Sequence, residues 1–158
     1  MTQIRTELSK NNPLYIDKFA FRTAYYFALQ YPKWKRQYAE SIGSVIKAVD
    51  YNDSPKGNGT GDPTARIAMR TSILHSNIEL IECTALMAGR DMAEYILYAV
   101  TNEGVTYNYL HNGRCKLGRI PCGRNQYYQM RRLFYYLLSQ KLEEMNVNLI
   151  SITHVIIK

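Results

Sequence analysis

The chain has 158 residues, 46% hydrophobic and 21% charged, the balance of a folded domain and not of a disordered tail. Twenty Lys and Arg against thirteen Asp and Glu leave a net charge of +7, which favours a polyanionic partner without separating duplex DNA from RNA or an anionic membrane surface. No apolar run approaches the ~18 residues of a spanning helix, and no basic start leads into a signal-like apolar run, so no membrane partner is expected and the protein is read as cytoplasmic.

Residues 1–12 are polar and read as a frayed end. From Pro13 the spacing predicts a helix with Ile16, Phe19, Ala20, Thr23 and Phe27 on its inward side. It should stop near Gln30, because Pro32 disfavours helical geometry at Tyr31. Pro32 then suits the first turn of a second helix, whose buried face is Trp34, Tyr38, Ile42, Val45, Ile46 and Val49. Residues 1–50 thus form an N-terminal helical hairpin, and the Gly-, Asn- and Pro-rich run 51–61 is a linker.

In GDPTAR, Asp62 is placed to cap a helix that starts at Pro63, runs to about Ala88 and stops at Gly89. Ile67, Leu74, Ile78, Ile81, Ala85 and Ala88 make one apolar stripe, and Met69, Ile73, Leu80 and Met87 make a second. Internal packing of both is the expected arrangement, and a homodimer seam is the alternative. Asp91 opens a further helix to about Thr101, with Met92, Tyr95, Ile96 and Ala99 inward. Thr106 then opens a short helix, a glycine-rich turn follows, and CGRNQYYQMRRLFYYLLSQKL reads as one long helix. Short helix, turn and long basic helix is the outline of a helix-turn-helix. Residues 62–142 therefore hold a central helix and a DNA-binding region. The β-branched tail 143–158 is expected to be a strand. The fold class is mainly α: a helical bundle with a C-terminal helix-turn-helix and a short β-prone tail.

The excess charge is local. Gly104 to Leu142 contains Arg114, Lys116, Arg119, Arg124, Arg131, Arg132 and Lys141 and no Asp or Glu. Along the long helix, Tyr127, Met130, Phe134, Leu137 and Leu138 fall on a core side. Asn125, Tyr128, Gln129, Arg132 and Tyr136 fall opposite, with Arg124 and Arg131 near the edge. Arg can donate twice to guanine, and Asn or Gln can pair with adenine, while Tyr and further Arg reach phosphates. The candidate DNA-binding residues are Arg114, Lys116, Arg119, Arg124, Asn125, Tyr128, Gln129, Arg131, Arg132 and Tyr136. Against this stands an ordinary solvated basic helix.

Catalytic chemistry has no footing in the pattern. His75, His111 and His154 lie far apart with no nucleophile signature around them. Cys83, Cys115 and Cys122 do not form a disulfide framework, and His111, Cys115 and Cys122 fit no common zinc spacing. GNGTGDPT lacks a preceding strand and a Lys-Ser or Lys-Thr pair. No enzyme activity, cofactor or metal is expected.

YPKWKRQY, then DPTAR at a helix start, VTNEGVTYNYL and IPCGRNQYYQMRRLFYYLL resemble the RinA and ArpU group of transcriptional regulators from phages and prophages of Gram-positive bacteria, which are similar in layout to the DNA-binding end of sigma factors. The resemblance covers about Leu29 to Lys141. It implies a helix-turn-helix, duplex DNA near a phage promoter, a bacterial host cell, and a recognition helix matching Arg124 to Phe134. The chain departs from the pattern in NGRCKLGRIP, longer than a compact turn, which points to a short wing or to a loop touching phosphates through Arg114, Lys116 and Arg119. Two other readings stand beside it. One is an adaptor gripping an acidic partner such as an RNA polymerase subunit or a host defence protein; the other is an oligomeric packaging protein.

Overall fold

A computed structural model describes residues 12–50 and 63–156, with side chains over 12–43 and 64–146. All regular structure in those residues is helical: α1 (Lys18–Leu29), α2 (Tyr31–Asp50), α3 (Pro63–Gly89), one 3₁₀ turn (Arg90–Met92), α4 (Ala93–Thr101), α5 (Tyr107–His111) and α6 (Arg124–Ile156). The expected linker 51–61 and the Asp62 cap lie outside the described residues.

Helix α1 starts later than Pro13, because two local hydrogen bonds compete with an earlier start. Asn12 Oδ1 accepts from Leu14 N at 3.0 Å and turns the chain. Asp17 then caps the helix, accepting from Phe19 N at 2.6 Å and Ala20 N at 3.3 Å. The buried side is Phe21, Ala24 and Ala28; of the expected inward stripe, Phe19 (76% exposed) and Thr23 are turned out, while Ile16 is buried and Ala20 and Phe27 are half-buried. The small side chains of Ala24 and Ala28 let α1 close on α6, where Phe21 meets Tyr135 edge-on at 4.9 Å.

Gln30 alone separates α1 from α2, yet the two do not form the expected hairpin. Helix α1 packs along α6, and α2 packs along α3. The α2–α3 pair is antiparallel: Tyr31 Oη donates to Glu82 Oε1 at 2.6 Å, and Tyr38 stands 5.4 Å from His75. Lys35 Nζ adds a 3.1 Å bond to the same Glu82 oxygen. Trp34 is buried against Phe27, while Ile42 is exposed; the side chains of Val45, Ile46 and Val49 lie outside the described residues.

Leu74, Ile78, Ile81, Ala85 and Ala88 of α3 are buried as expected, while Ile67 near its start is exposed. Of the second stripe only Leu80 is half-buried against the core. Met69, Ile73 and Met87 are exposed, because the described neighbours α2, α4 and α6 gather around the other side of the helix. The helix ends at Gly89, as expected, but not through a left-handed glycine. Its backbone is still helical, and Arg90 takes the positive φ of 46°. A Cβ on Gly89 would stand 3.1 Å from Ile96 Cγ1, so the glycine serves the close approach of α4.

The centre of the bundle is α3 against α6, with Ile81, Ile96, Phe134 and Leu138 fully buried between α3, α4 and α6. Helix α6 has 33 residues, about 50 Å of continuous helix. It passes Leu142 without a break, so the expected strand at 143–158 is replaced by helix through Ile156. Extending a helix that already exists requires no new nucleus, and the β-branched penalty is only ~0.5 kcal/mol per residue. A strand would have needed a pairing partner.

Desolvation pushes the Glu82 carboxyl up, but the hydrogen bonds from Tyr31 and Lys35 outweigh it and hold the group below the usual carboxylate range. A lowered folded pKa contributes stability that is present above the unfolded value of ~4.3 and lost as pH falls through the folded one. Glu82→Gln is expected to cost about 1 kcal/mol or less at neutral pH, since the ion pair is half-exposed. It should also flatten the acid limb of stability in urea titrations; identical acid limbs in both proteins would count against the contact.

Candidate nucleic-acid interface

Residues 112–123 join α5 to α6 through turns, with no strand among them, so the expected alternative of a β-like wing is not what forms. Thr106 caps α5 by accepting from Tyr109 N. The chain then reverses at Gly113 and Gly118, whose φ values of 66° and 80° suit glycine. Cys115 and Ile120 are buried, and Ile120 N donates to Leu110 O at 3.2 Å, drawing the loop back onto α5. Three tyrosines hold its carbonyls. Tyr95 Oη reaches Leu117 O at 2.8 Å and Arg119 O at 3.2 Å, Tyr107 Oη donates to Cys122 O at 3.0 Å, and Tyr109 Oη donates to Arg114 O at 3.2 Å. With Cys115 and Ile120 inward and its backbone held, the loop leaves Arg114, Lys116 and Arg119 exposed, beside an exposed Leu117.

Arg119 Nη2 donates to His111 Nε2 at 2.6 Å, tying the guanidinium to α5. Arg119 and His111 share an open depression of about 480 Å³ with Pro121, Cys122, Gly123 and Gln126. The loop and the first turn of α6 are therefore one surface. Gln126, exposed there, was not singled out by sequence, because at 100° per residue it falls between the two faces.

On α6, Arg124, Asn125, Gln129 and Arg132 are exposed and Tyr128 is half-buried. Arg124 lies over the Tyr128 ring at 5.8 Å, a cation–π contact that orients it without occupying its donors. Tyr136 is half-buried, and its hydroxyl already accepts from Gln140 Nε2 at 2.8 Å. It stands about 18 Å along the helix from Arg124.

Arg131 belongs to the interior and not to this face. One of its guanidinium nitrogens, Nη1, is 3.4 Å from both Val105 O and the Tyr127 hydroxyl, and its Cζ lies 5.9 Å over the buried Tyr135 ring. The buried side of α6 is Tyr127, Phe134, Tyr135, Leu138 and Leu142, with Met130 and Leu137 only half-buried. That side is turned by roughly 50° from the expected stripe, half the step between residues. The rotation carries Arg131 inward and leaves Arg132 out.

His111 is bonded to Arg119, and Cys115 Sγ donates to Gly118 O at 3.3 Å. Among the described residues no group of three His, Cys, Asp or Glu converges on a point, and no helix is long and apolar enough to cross a membrane. No family model, curated protein or solved structure matches the chain.

Two outcomes separate the two neighbouring arginines and their aromatic surroundings. Arg131→Ala is expected to cost about 1–3 kcal/mol in chemical denaturation and Arg132→Ala within about 0.5 kcal/mol; equal effects would contradict the inward placement of Arg131. Burial pushes the Tyr135 phenol up to about 12, against the pull of Arg131. A raised folded pKa gives stability that is complete below the unfolded value of ~10 and lost as pH rises through the folded one. Among the described residues the Tyr135 hydroxyl has only the neighbouring Arg131 as a polar partner, too poorly placed for a full hydrogen bond, so Tyr135→Phe should change neutral stability by under about 1 kcal/mol and remove one late-ionising phenol from the 295 nm titration. An unchanged titration would contradict the burial.

Proposed function

We propose that the protein binds duplex DNA in a sequence-dependent way and acts as a transcriptional regulator of the phage type resembled by its sequence. Helix α5, the 112–123 loop and the start of α6 serve as a helix-turn-helix with an enlarged turn. The observation that carries the reading is the exposed set Arg124, Asn125, Gln129 and Arg132 on one side of α6, in a stretch from Gly104 to Leu142 free of carboxylates.

In this reading, the first turns of α6 enter the major groove. Asn125 and Gln129 offer paired donor and acceptor groups to adenine edges, and Arg132 offers two donors to guanine. Arg114, Lys116 and Arg119 neutralise phosphates beside the groove and release counterions, supplying affinity without sequence information. Arg119 arrives preset by His111, so less side-chain freedom is lost on contact. Arg131, directed inward, holds α6 to the turn before α5 through Val105.

Selection from random duplexes, followed by anisotropy titrations, tests this. An enriched motif is expected. Arg132→Ala should weaken the enriched duplex by about 1–3 kcal/mol with less effect on others. Lys116→Ala should weaken all duplexes alike and lower the slope of log affinity against log salt by about one unit. No enrichment, together with no salt-dependent binding to duplex DNA, would overturn the reading.

A further inference from the structure

The exposed side of α3 has a regular pattern of its own. Met69, Ile73, Ser76, Leu80, Cys83 and Met87 follow one another at alternating steps of four and three. That is the 3.5-residue repeat of a coiled-coil seam, placed opposite the buried Leu74, Ile78, Ile81, Ala85 and Ala88. Met69 is 69% exposed and Ile73 and Met87 are each 53% exposed; Ser76 and Cys83 are exposed and Leu80 half-buried. The run contains no charge, and the next positions of the same repeat are Arg66 and Arg90, which bound it at either end. Its length is about 27 Å.

We propose that this face is the seam of an antiparallel homodimer. A second copy fits this face because the pattern is its own complement. With a two-fold axis at the level of Ile78, Met69 meets Met87, Ile73 meets Cys83, and Ser76 meets Leu80. Beside the seam, exposed Ser72 meets Leu86, itself 61% exposed. Each branched aliphatic side chain thus faces a small one, the alternation that lets two helices interdigitate at interior density. A parallel pair would set Ser76 on Ser76 and Cys83 on Cys83, leaving gaps between the larger pairs. Two such faces together bury on the order of 1,000 Å², the lower bound for a specific interface. The unfavourable element is Glu79, whose two copies approach beside the axis; each has His75 Nδ1 at 3.8 Å as an intrahelical partner. None of these residues is part of the basic surface, so this proposal stands or falls apart from DNA binding.

Sedimentation velocity on the full chain at tens of micromolar is expected to give a dimer. Ile73→Glu and Met87→Glu, both at positions exposed in the protomer, should leave the circular dichroism melt of the protomer intact and weaken dimerisation about tenfold or more. Under mild copper-phenanthroline oxidation, the Ile73→Cys variant should form a disulfide between position 73 and Cys83 of the second copy, mapped by peptide mass. A monomeric wild type would overturn the proposal. So would a dimer insensitive to both Glu variants, or a Cys83–Cys83 link in the oxidised wild type.

Discussion

A twelve-residue connection that buries Cys115 and Ile120 must find partners for its own backbone, and here the partners are phenols. Tyr95 from α4 and Tyr107 and Tyr109 from α5 donate to the carbonyls of Arg114, Leu117, Arg119 and Cys122. Without them those carbonyls would be left to water, and the loop would have no reason to hold one course. With them, Cys115 and Ile120 close over the end of the bundle and the loop's cations stay outside. The basic surface follows from the loop's carbonyls being held by neutral hydroxyls along its edge, which leaves the cations unengaged by the backbone.

Charge is handled differently a few residues further on. Arg131 and Arg132 are adjacent and chemically identical, yet one closes onto Val105, Tyr127 and Tyr135 while the other faces water. Aromatic rings and a carbonyl are weak compensation for a half-buried guanidinium compared with a carboxylate. A carboxylate at that place would have cancelled charge in the one region where the chain concentrates it. The tyrosine setting keeps the cation tolerable and the local field positive.

Much of the architecture was legible where local chemistry leaves little choice. Pro63 begins α3, five of the six residues in its expected inward stripe are buried, and the mainly helical character holds. What could not be read was any choice between two apolar sides. In α1, the side carrying Phe19 and Thr23 competed with the side carrying Phe21, Ala24 and Ala28, and the latter won because its small alanines allow close approach to α6, a tertiary fact with no local mark. The same ambiguity hid the inward turn of Arg131, since counting charges cannot show a rotation of half a residue step. The tail misled for another reason: its β-branched residues state a preference too weak to stop a helix that is already running. Of the candidate surface, Arg124, Asn125, Gln129 and Arg132 were legible as one side of a helix, while the tyrosine bonds that organise the loop were not, because phenol donors have no fixed spacing from the carbonyls they reach.

The apolar outer side of α3 and the basic start of α6 are mechanically related. Helices α3 and α6 pack together through the core, so whatever fixes α3 also fixes the direction of α6. An antiparallel α3 seam would place a two-fold axis across that helix, and a closed two-fold makes the two basic surfaces equivalent and oppositely directed. Duplex DNA has local two-fold symmetry of the same kind, and paired reading heads related by such an axis demand an inverted repeat whose spacing the protein sets. A monomer with the same surface would be content with a single asymmetric site. The symmetry of whatever motif a selection enriches therefore carries information about α3, a helix that in this reading touches no base.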